Sequence, residues 1–95
     1  MTAAVRHVRH GWPVDHRRYE LVQTTSPGAR WRVCELDGPA QVFVLRGTAE
    51  VTTGGQVLDL TAGQRVDVDD VDELVVHSES GLVELYLPAE AVNIE

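Results

Sequence analysis

The side chains best suited to chemistry in this chain of 95 residues include one cysteine and an arginine close to it. Cys34 follows Arg32 by two residues, so both side chains would lie on one face of a strand. A guanidinium there can bind a carboxylate or a phosphate through two parallel hydrogen bonds, and it can activate a nearby thiol. The alternatives are a buried, inert thiol and an arginine at the solvated end of a strand.

Three histidines lie close to the N-terminus. His7, His10 and His16 form a His-x-x-His pattern with a third histidine six residues later. On a strand, His7 and His10 would face opposite ways, and no cysteine or carboxylate cluster completes a known zinc spacing. We therefore expect residues 1–16 to form an exposed N-terminal arm ahead of one domain over residues 17–95.

Two further polar groups lack the spacing that their chemistry requires. Five carboxylates lie between residues 67 and 73, but Val71 and Asp72 occupy the places where a calcium loop needs an oxygen donor and a glycine. Residues 77–80, His-Ser-Glu-Ser, contain the residue types of a hydrolase triad, yet adjacent residues of a strand cannot converge on one point. The carboxylates are typical of a solvated strand end, and the triad hypothesis fails on geometry.

The charge pattern limits the class of partner. The net charge is -7, and all eight basic side chains are arginines. This balance argues against a nucleic acid or an anionic membrane as partner. Residues 1–34 carry six arginines against two carboxylates, whereas residues 35–95 carry two arginines against thirteen. The simplest expectation is that the two halves attract each other, in the fold or across a dimer; an anion-binding arm is the alternative.

The sequence also bears on location. A single cysteine cannot form an intramolecular disulfide. Residues 1–16 contain no apolar stretch of signal-peptide length, and no run of about 18 apolar residues occurs in the chain. We expect a cytoplasmic protein that does not span a membrane.

Short β-type runs separated by turn residues predict an all-β fold with little or no helix. The runs cover residues 19–23, 30–36, 41–46, 48–53, 57–60, 65–68, 74–77 and 82–87. The clearest hairpin signal is Thr53-Gly54-Gly55-Gln56, because two glycines can both adopt a positive φ.

Two of these runs, 30–36 and 41–46, are apolar on both faces. In a protein of this size, one face would line the interior and the other would contact a second subunit. We therefore expect a homodimer formed through the strands that carry Trp31 and Phe43.

From Gly28 onward, the spacing of glycines resembles the cupin family, which consists of small β-barrels of the jelly-roll type. Gly28 and Gly47 match the two ends of the first cupin motif, and Gly63 matches the start of the second, with fifteen residues between Gly47 and Gly63. The phrases at residues 42–47 and 60–63 are also similar to cupin sequences. The resemblance covers about two thirds of the chain. It implies a small, single-domain jelly-roll barrel.

Metal-binding cupins hold a transition metal ion with three histidines and a glutamate. The matching positions here are Cys34, Leu36, Ala40 and Leu74. A lone thiol cannot fill a coordination shell, so the resemblance implies the fold without a metal or another cofactor. It also implies that Cys34 points into the barrel, among apolar side chains. The predicted ligand-binding residues are Arg32, Cys34, Leu36, Ala40, Val42, Val44 and Leu74.

An apolar lining with one charge is the usual composition of a small-molecule pocket. We therefore expect a non-catalytic binding or regulatory module for a small, mainly apolar molecule with an anionic end held by Arg32. The first alternative is a metal-independent isomerase or cyclase in which Tyr19, Tyr86 or His77 acts as acid or base. The second is a structural or protein-interaction domain whose barrel is filled by its own side chains.

Overall fold

The structure, a computed structural model, describes residues 8–13, 17–34, 36, 38–69, 73–79 and 82–94. These residues form ten β-strands and no helix. The strands are β1 (Val8–His10), β2 (Tyr19–Thr24), β3 (Ala29–Cys34), β4 (Ala40–Arg46), β5 (Thr48–Thr53), β6 (Gln56–Thr61), β7 (Gln64–Val68), β8 (Glu73–Ser78), β9 (Val83–Pro88) and β10 (Val92–Asn93). The predicted all-β fold is confirmed.

The strands form two five-stranded antiparallel sheets. Sheet A has the order β1-β7-β4-β9-β2, and sheet B has the order β10-β3-β8-β5-β6. From β2 onward, every connection except that between β5 and β6 crosses from one sheet to the other. This connectivity makes the fold a jelly roll, in which two sheets enclose one core.

The exception is the hairpin that the two glycines predict. Thr53 pairs with Gln56, and φ is 57° at Gly54 and 79° at Gly55. Both central residues therefore have the positive φ that a tight two-residue hairpin loop requires.

The core lies between the inner faces of the two sheets. Its largest fully buried side chains are leucines and valines, which include Leu60, Leu74, Leu85 and Leu87. Trp31 belongs to this core and is 6% exposed. The indole of Trp31 therefore fills the interior of a single copy, so a contact between β3 and a second subunit would have to use the other face of the strand.

The outer face of β4 is covered from within the chain. Phe43 is 5% exposed. The ring of Trp12 lies 5.0 Å from that of Phe43 and 5.2 Å from that of Tyr86, between centroids. The second apolar face of β4 therefore does not require a second subunit, and the homodimer stays a prediction. Trp12 itself remains 57% exposed.

The described part of the predicted N-terminal arm, residues 8–13, belongs to the domain, because β1 is an edge strand of sheet A. β1 pairs with β7, and the amide of Gly11 donates to the carbonyl oxygen of Gly63 at 3.1 Å. His10 is exposed, whereas His7 and His16 lie outside the described residues. The sequence does not predict β1, because three residues are too few to show a period.

Opposite charges from the two parts of the sequence meet in the fold. Arg9 pairs with Asp67 at 3.0 Å, and Arg17 pairs with Glu90 at 2.8 Å. The expected attraction between the halves is thus present within one chain. Where the structure describes the chain, no helix has the length and apolar character that crossing a membrane would need.

Candidate functional site

The predicted site residues Arg32 and Cys34 lie on the outer face of sheet B. Along β3, the alternation of strand side chains turns Ala29, Trp31 and Val33 toward the core. Arg32 and Cys34 therefore face outward, and Cys34 is exposed. The prediction that Cys34 points into the interior is wrong. A face that carries arginine at every second position is the costlier one to bury.

Arg32, Cys34 and Glu73 form a polar cluster at this face. Cys34 pairs with Glu73 across β3 and β8. Nε of Arg32 donates to Sγ of Cys34 at 3.3 Å and lies 2.5 Å from a carboxylate oxygen of Glu73. The hydrogen bond to Cys34, followed by the charges of Cys34 and Glu73, raises the pKa of Arg32 above its ordinary value. Arg32 therefore stays cationic and can attract an anion.

Arg32 and Cys34 line a groove of about 430 Å³. Its other lining residues are Glu90, Val92 and Ile94, from the C-terminal segment. β10 pairs with β3 so that Val92 lies opposite Arg32, and the amide of Ile94 donates to the carbonyl oxygen of Arg30 at 3.0 Å. This pairing places Val92, 60% exposed, and Ile94, 36% exposed, beside a guanidinium.

The other predicted site residues lie in or against the core. Ala40, Val42, Val44 and Leu74 expose 0% of their surface, and Leu36 is partly buried against the same cluster. A side chain that a water-sized probe cannot touch lines no cavity able to hold a ligand. A small molecule would reach these four side chains only if the two sheets separated.

The positions that match the metal ligands of cupins do not fit a metal ion. Cys34 is exposed, Leu36 is partly buried, and Ala40 and Leu74 are buried hydrocarbon side chains. Among the residues that the structure describes, no three His, Cys, Asp or Glu side chains are grouped so that they could bind a metal ion. The chemistry of these donors gives no reason to place a metal here.

The carboxylate cluster of residues 67–73 is divided between separate ion pairs. Asp67 accepts a hydrogen bond from Gln41 at 2.6 Å and pairs with Arg9 and Arg65, each at 3.0 Å. Glu73 pairs with Arg32, and both lie on sheet B, whereas Asp67 lies on sheet A. Asp70 and Asp72 lie outside the described residues. The carboxylates that can be placed therefore do not converge on one point.

A second cleft, of about 300 Å³, lies at the edge of sheet B that β5 and β6 form. It is lined by Thr48, Ala49, Glu50, Asp59, Leu60, Thr61, His77 and Glu79. Nδ1 of His77 lies 4.0 Å from a carboxylate oxygen of Glu50. Ser78 faces inward, where its hydroxyl donates to the carbonyl oxygen of Thr48 at 2.8 Å, and Ser80 lies outside the described residues. The described residues of this segment, 77–79, therefore do not form a triad, because His77 and Ser78 face opposite sides of the sheet.

Tyr19 and Tyr86, the other candidate acid–base residues, belong to sheet A. Tyr86 packs against Trp12 and Phe43. Neither tyrosine lines the groove at Arg32 or the cleft at His77.

The sequence prediction missed the C-terminal wall of the groove. Val92 and Ile94 alternate with Asn93, and such alternation has the period of a strand. A two-residue strand is, however, too short to recognise from this pattern. The sequence pattern places Glu73 only in the carboxylate cluster of residues 67–73. Its pairing with Arg32 depends on the register between β3 and β8, which no local pattern encodes.

The fold and the groove define a jelly-roll β-sandwich with a small amphipathic recess on the outer face of sheet B. Comparison of the chain with protein-family models, with characterised proteins and with solved structures gives no match. The resemblance to the cupins therefore stays a prediction that rests on the spacing of glycines.

Proposed function

We propose that this protein is a non-catalytic binding or regulatory module for a small, mainly apolar molecule with an anionic end. One observation carries the proposal: Arg32 lies beside the exposed side chains of Val92 and Ile94 in a groove of about 430 Å³. That volume falls within the range of roughly 300–1,000 Å³ typical of ligand pockets. A cytoplasmic location and independence from metal ions belong to the same proposal.

The ligand's apolar part would cover Val92 and Ile94, and its carboxylate would bind the guanidinium. Arg32 has two described partners, Cys34 and Glu73, and both of them contact its Nε. The two Nη nitrogens are therefore the donors that a ligand carboxylate would meet, in the fork geometry that suits arginine. Glu90 also lines the groove, but its charge is balanced by Arg17 at 2.8 Å.

Glu73 competes with an anionic ligand for Arg32. The side chain of Arg32 is 48% exposed and that of Glu73 is 45% exposed. An ion pair with this much exposure to water contributes about 0–1 kcal/mol, so a ligand carboxylate can share or replace it at little cost. The groove is therefore suited to a weakly held, exchangeable ligand.

The test uses decanoate as the probe and decan-1-ol as its uncharged counterpart, with binding followed by NMR chemical shifts. Decanoate is expected to shift the methyl signals of Val92 and Ile94 and the Nε signal of Arg32. The variant Arg32→Met should weaken decanoate binding about tenfold, the equivalent of one charge-assisted hydrogen bond, and leave decan-1-ol binding nearly unchanged.

Arg46→Met is the matched control, because Arg46 is 71% exposed and lies on sheet A. It should leave both affinities unchanged. Decanoate shifts that map to the core or to another surface, or equal losses in the two arginine variants, would overturn the proposed site. Native mass spectrometry of the purified protein would show whether a carboxylate ligand accompanies it.

A second candidate function, a metal-independent isomerase or cyclase, is favoured by the cleft at His77. Its histidine and the Glu50 carboxylate are 4.0 Å apart, and such contacts often shorten when a substrate binds. In this candidate, His77 transfers the proton and Glu50 orients the ring. A panel of α-hydroxyketones would be screened in the presence of EDTA. Turnover that is lost in His77→Gln and retained in Arg32→Met would favour the enzyme over the binding module.

A further inference from the structure

β2 forms one edge of sheet A. One side of this six-residue strand pairs with β9 along its whole length, and in the described part of the chain no strand pairs with its other side. The amide of Ala89 donates to the carbonyl oxygen of Arg18 at 3.0 Å, which sets the phase of the ladder. Because peptide groups alternate in an antiparallel ladder, those of Leu21 and Gln23 point away from β9 toward the open edge.

The four sheet edges differ in their protection against pairing with another strand. β1 has three residues and β10 has two, and such short strands are poor templates. β6 has six residues, but it carries Asp59 opposite Glu50, and the side chain of Gln64 accepts the amide hydrogen of Thr61 at 2.9 Å. Charge and capping therefore protect β6.

β2 is neither short nor protected by charge or capping at its centre. Its carboxylate, Glu20, pairs with Arg18 of the same chain at 3.3 Å, so the edge is close to neutral. Leu21 occupies the middle of the strand and is 44% exposed. A six-residue edge with an exposed leucine at its centre is the type that natural sheets normally cover.

Leu21 also continues an apolar row across the outer face of sheet A. Phe43 pairs with Tyr86, and Tyr86 pairs with Leu21, so the three side chains lie side by side. Trp12 lies over the first two. The row ends at the open edge, where it would meet the same row of a second copy.

We propose that a second copy of this chain pairs antiparallel with β2, with a two-fold axis at Leu21, to form a continuous ten-stranded sheet. This inference is independent of the proposed ligand site. The symmetry places Leu21 opposite Leu21 of the second copy and Gln23 opposite Tyr19. The outward peptide groups of Leu21 then exchange two hydrogen bonds across the axis.

The charges favour this arrangement. In this register Glu20 lies opposite Val22 and Arg18 opposite Thr24, so no like charges face each other directly. The carboxylates of Glu50, Asp59 and Glu79 lie around β6 on the other sheet, away from the axis. Each copy carries a net charge of -7, and the dimer keeps these acidic edges apart.

One edge strand with few side chains buries less than the roughly 1,200–2,000 Å² of a stable interface. The expected dimer is therefore weak and reversible. Sedimentation velocity over a series of concentrations should show a monomer–dimer equilibrium for the wild-type chain. Leu21→Lys should weaken it about tenfold or more, because two ammonium groups would then face each other across the axis.

Val57→Lys is the matched control, since Val57 is an exposed apolar residue on the other six-residue edge strand. It should leave the dimer unchanged, and thermal unfolding should show that both variants are folded. Spin labels at Gln23→Cys in a Cys34→Ser background should report a short distance between the two copies, because the strand spacing and the rise per residue place the two labelled Cα atoms roughly 14 Å apart. A label at Thr52→Cys on sheet B should report a much longer distance.

Three results would overturn the proposal. The first is a wild-type chain that stays monomeric up to its solubility limit, which would leave the β2 edge to a different protein. The second is a dimer that Leu21→Lys does not weaken. The third is a dimer that Val57→Lys weakens, because this would move the contact to β6.

Discussion

The guanidinium of Arg65 binds the carbonyl oxygen of Trp12, with 3.0 Å between Nη1 and the oxygen. The same nitrogen donates to the carbonyl oxygen of His10 at 3.3 Å, and Nε donates to Asp67 at 3.0 Å. The side chain of Arg65 is only 13% exposed, so water competes weakly for these bonds. Arg65 therefore fastens the N-terminal segment to sheet A and keeps Trp12 over Phe43.

Arg65→Met should lower the free energy of unfolding by about 1–3 kcal/mol, because two carbonyl oxygens and a carboxylate lose a partly buried donor. Hydrogen exchange of the β1 amides should become faster than that of the core strands. Urea denaturation and native-state hydrogen exchange measure the two effects. Arg46→Met is the control, since the Arg46 side chain is 71% exposed and its ion pair with Glu84 should contribute about 0–1 kcal/mol. Equal losses in the two variants would contradict the fastening role of Arg65.

Trp12→Ala should uncover the rings of Phe43 and Tyr86. We expect a loss of about 1–3 kcal/mol, the sum of lost ring contacts and lost apolar burial, together with increased binding of a hydrophobic dye. Val57→Ala, at an apolar residue that is 59% exposed on sheet B, should change stability by less than about 0.5 kcal/mol. If Trp12→Ala were as stable as the wild-type chain, the indole would not cover these rings in solution.

Gly47→Ala should be more destabilising than Gly63→Ala, although both glycines have a positive φ, 82° and 89°. A Cβ at Gly47 would collide with the carbonyl oxygen of Leu82, whereas one at Gly63 would meet no described atom within 4 Å. Strain alone should cost about 1 kcal/mol at Gly63, and the clash should bring the cost at Gly47 to roughly 3 kcal/mol. Chemical denaturation of the two variants gives the comparison. Equal costs would show that the backbone near Leu82 moves aside.

Cys34 should react with a disulfide reagent such as Ellman's reagent without denaturant, because its side chain is exposed on the outer face of sheet B. The thiol count per native chain should equal the count after unfolding. A thiol that reacts only after denaturant is added would restore the interior position that the glycine spacing predicted.

The positions of eight of the ten strands could be predicted from the sequence, with errors of one or two residues at most ends. Gly54 and Gly55 predicted the hairpin because their conformational freedom is a local property. β1 and β10 escaped prediction because three and two residues do not display a period. β10 supplies Val92 to the groove, and β1 ends two residues before Trp12.

The candidate site was only partly predictable. The spacing of Arg32 and Cys34 predicts that they share a face, and the structure brings them together with Glu73. The glycine spacing predicts the wrong direction for both side chains, because Arg30 and Arg32 lie on the face that it assigns to the interior and arginines are costly to bury. No local pattern predicts the contribution of Val92 and Ile94, since they reach Arg32 only through the pairing of β10 with β3.

The sequence by itself determines that this chain forms strands, where most of them end, and that its net charge is negative. Alternation and glycine conformation are properties of a few adjacent residues, and the net charge is a sum over the composition. Only the tertiary structure decides that Trp31 points inward, that Trp12 covers Phe43, and that the C-terminal residues form a wall beside Arg32. These arrangements depend on contacts between residues far apart in the chain. Their energies come from burial and register, which exist only once both sheets have formed.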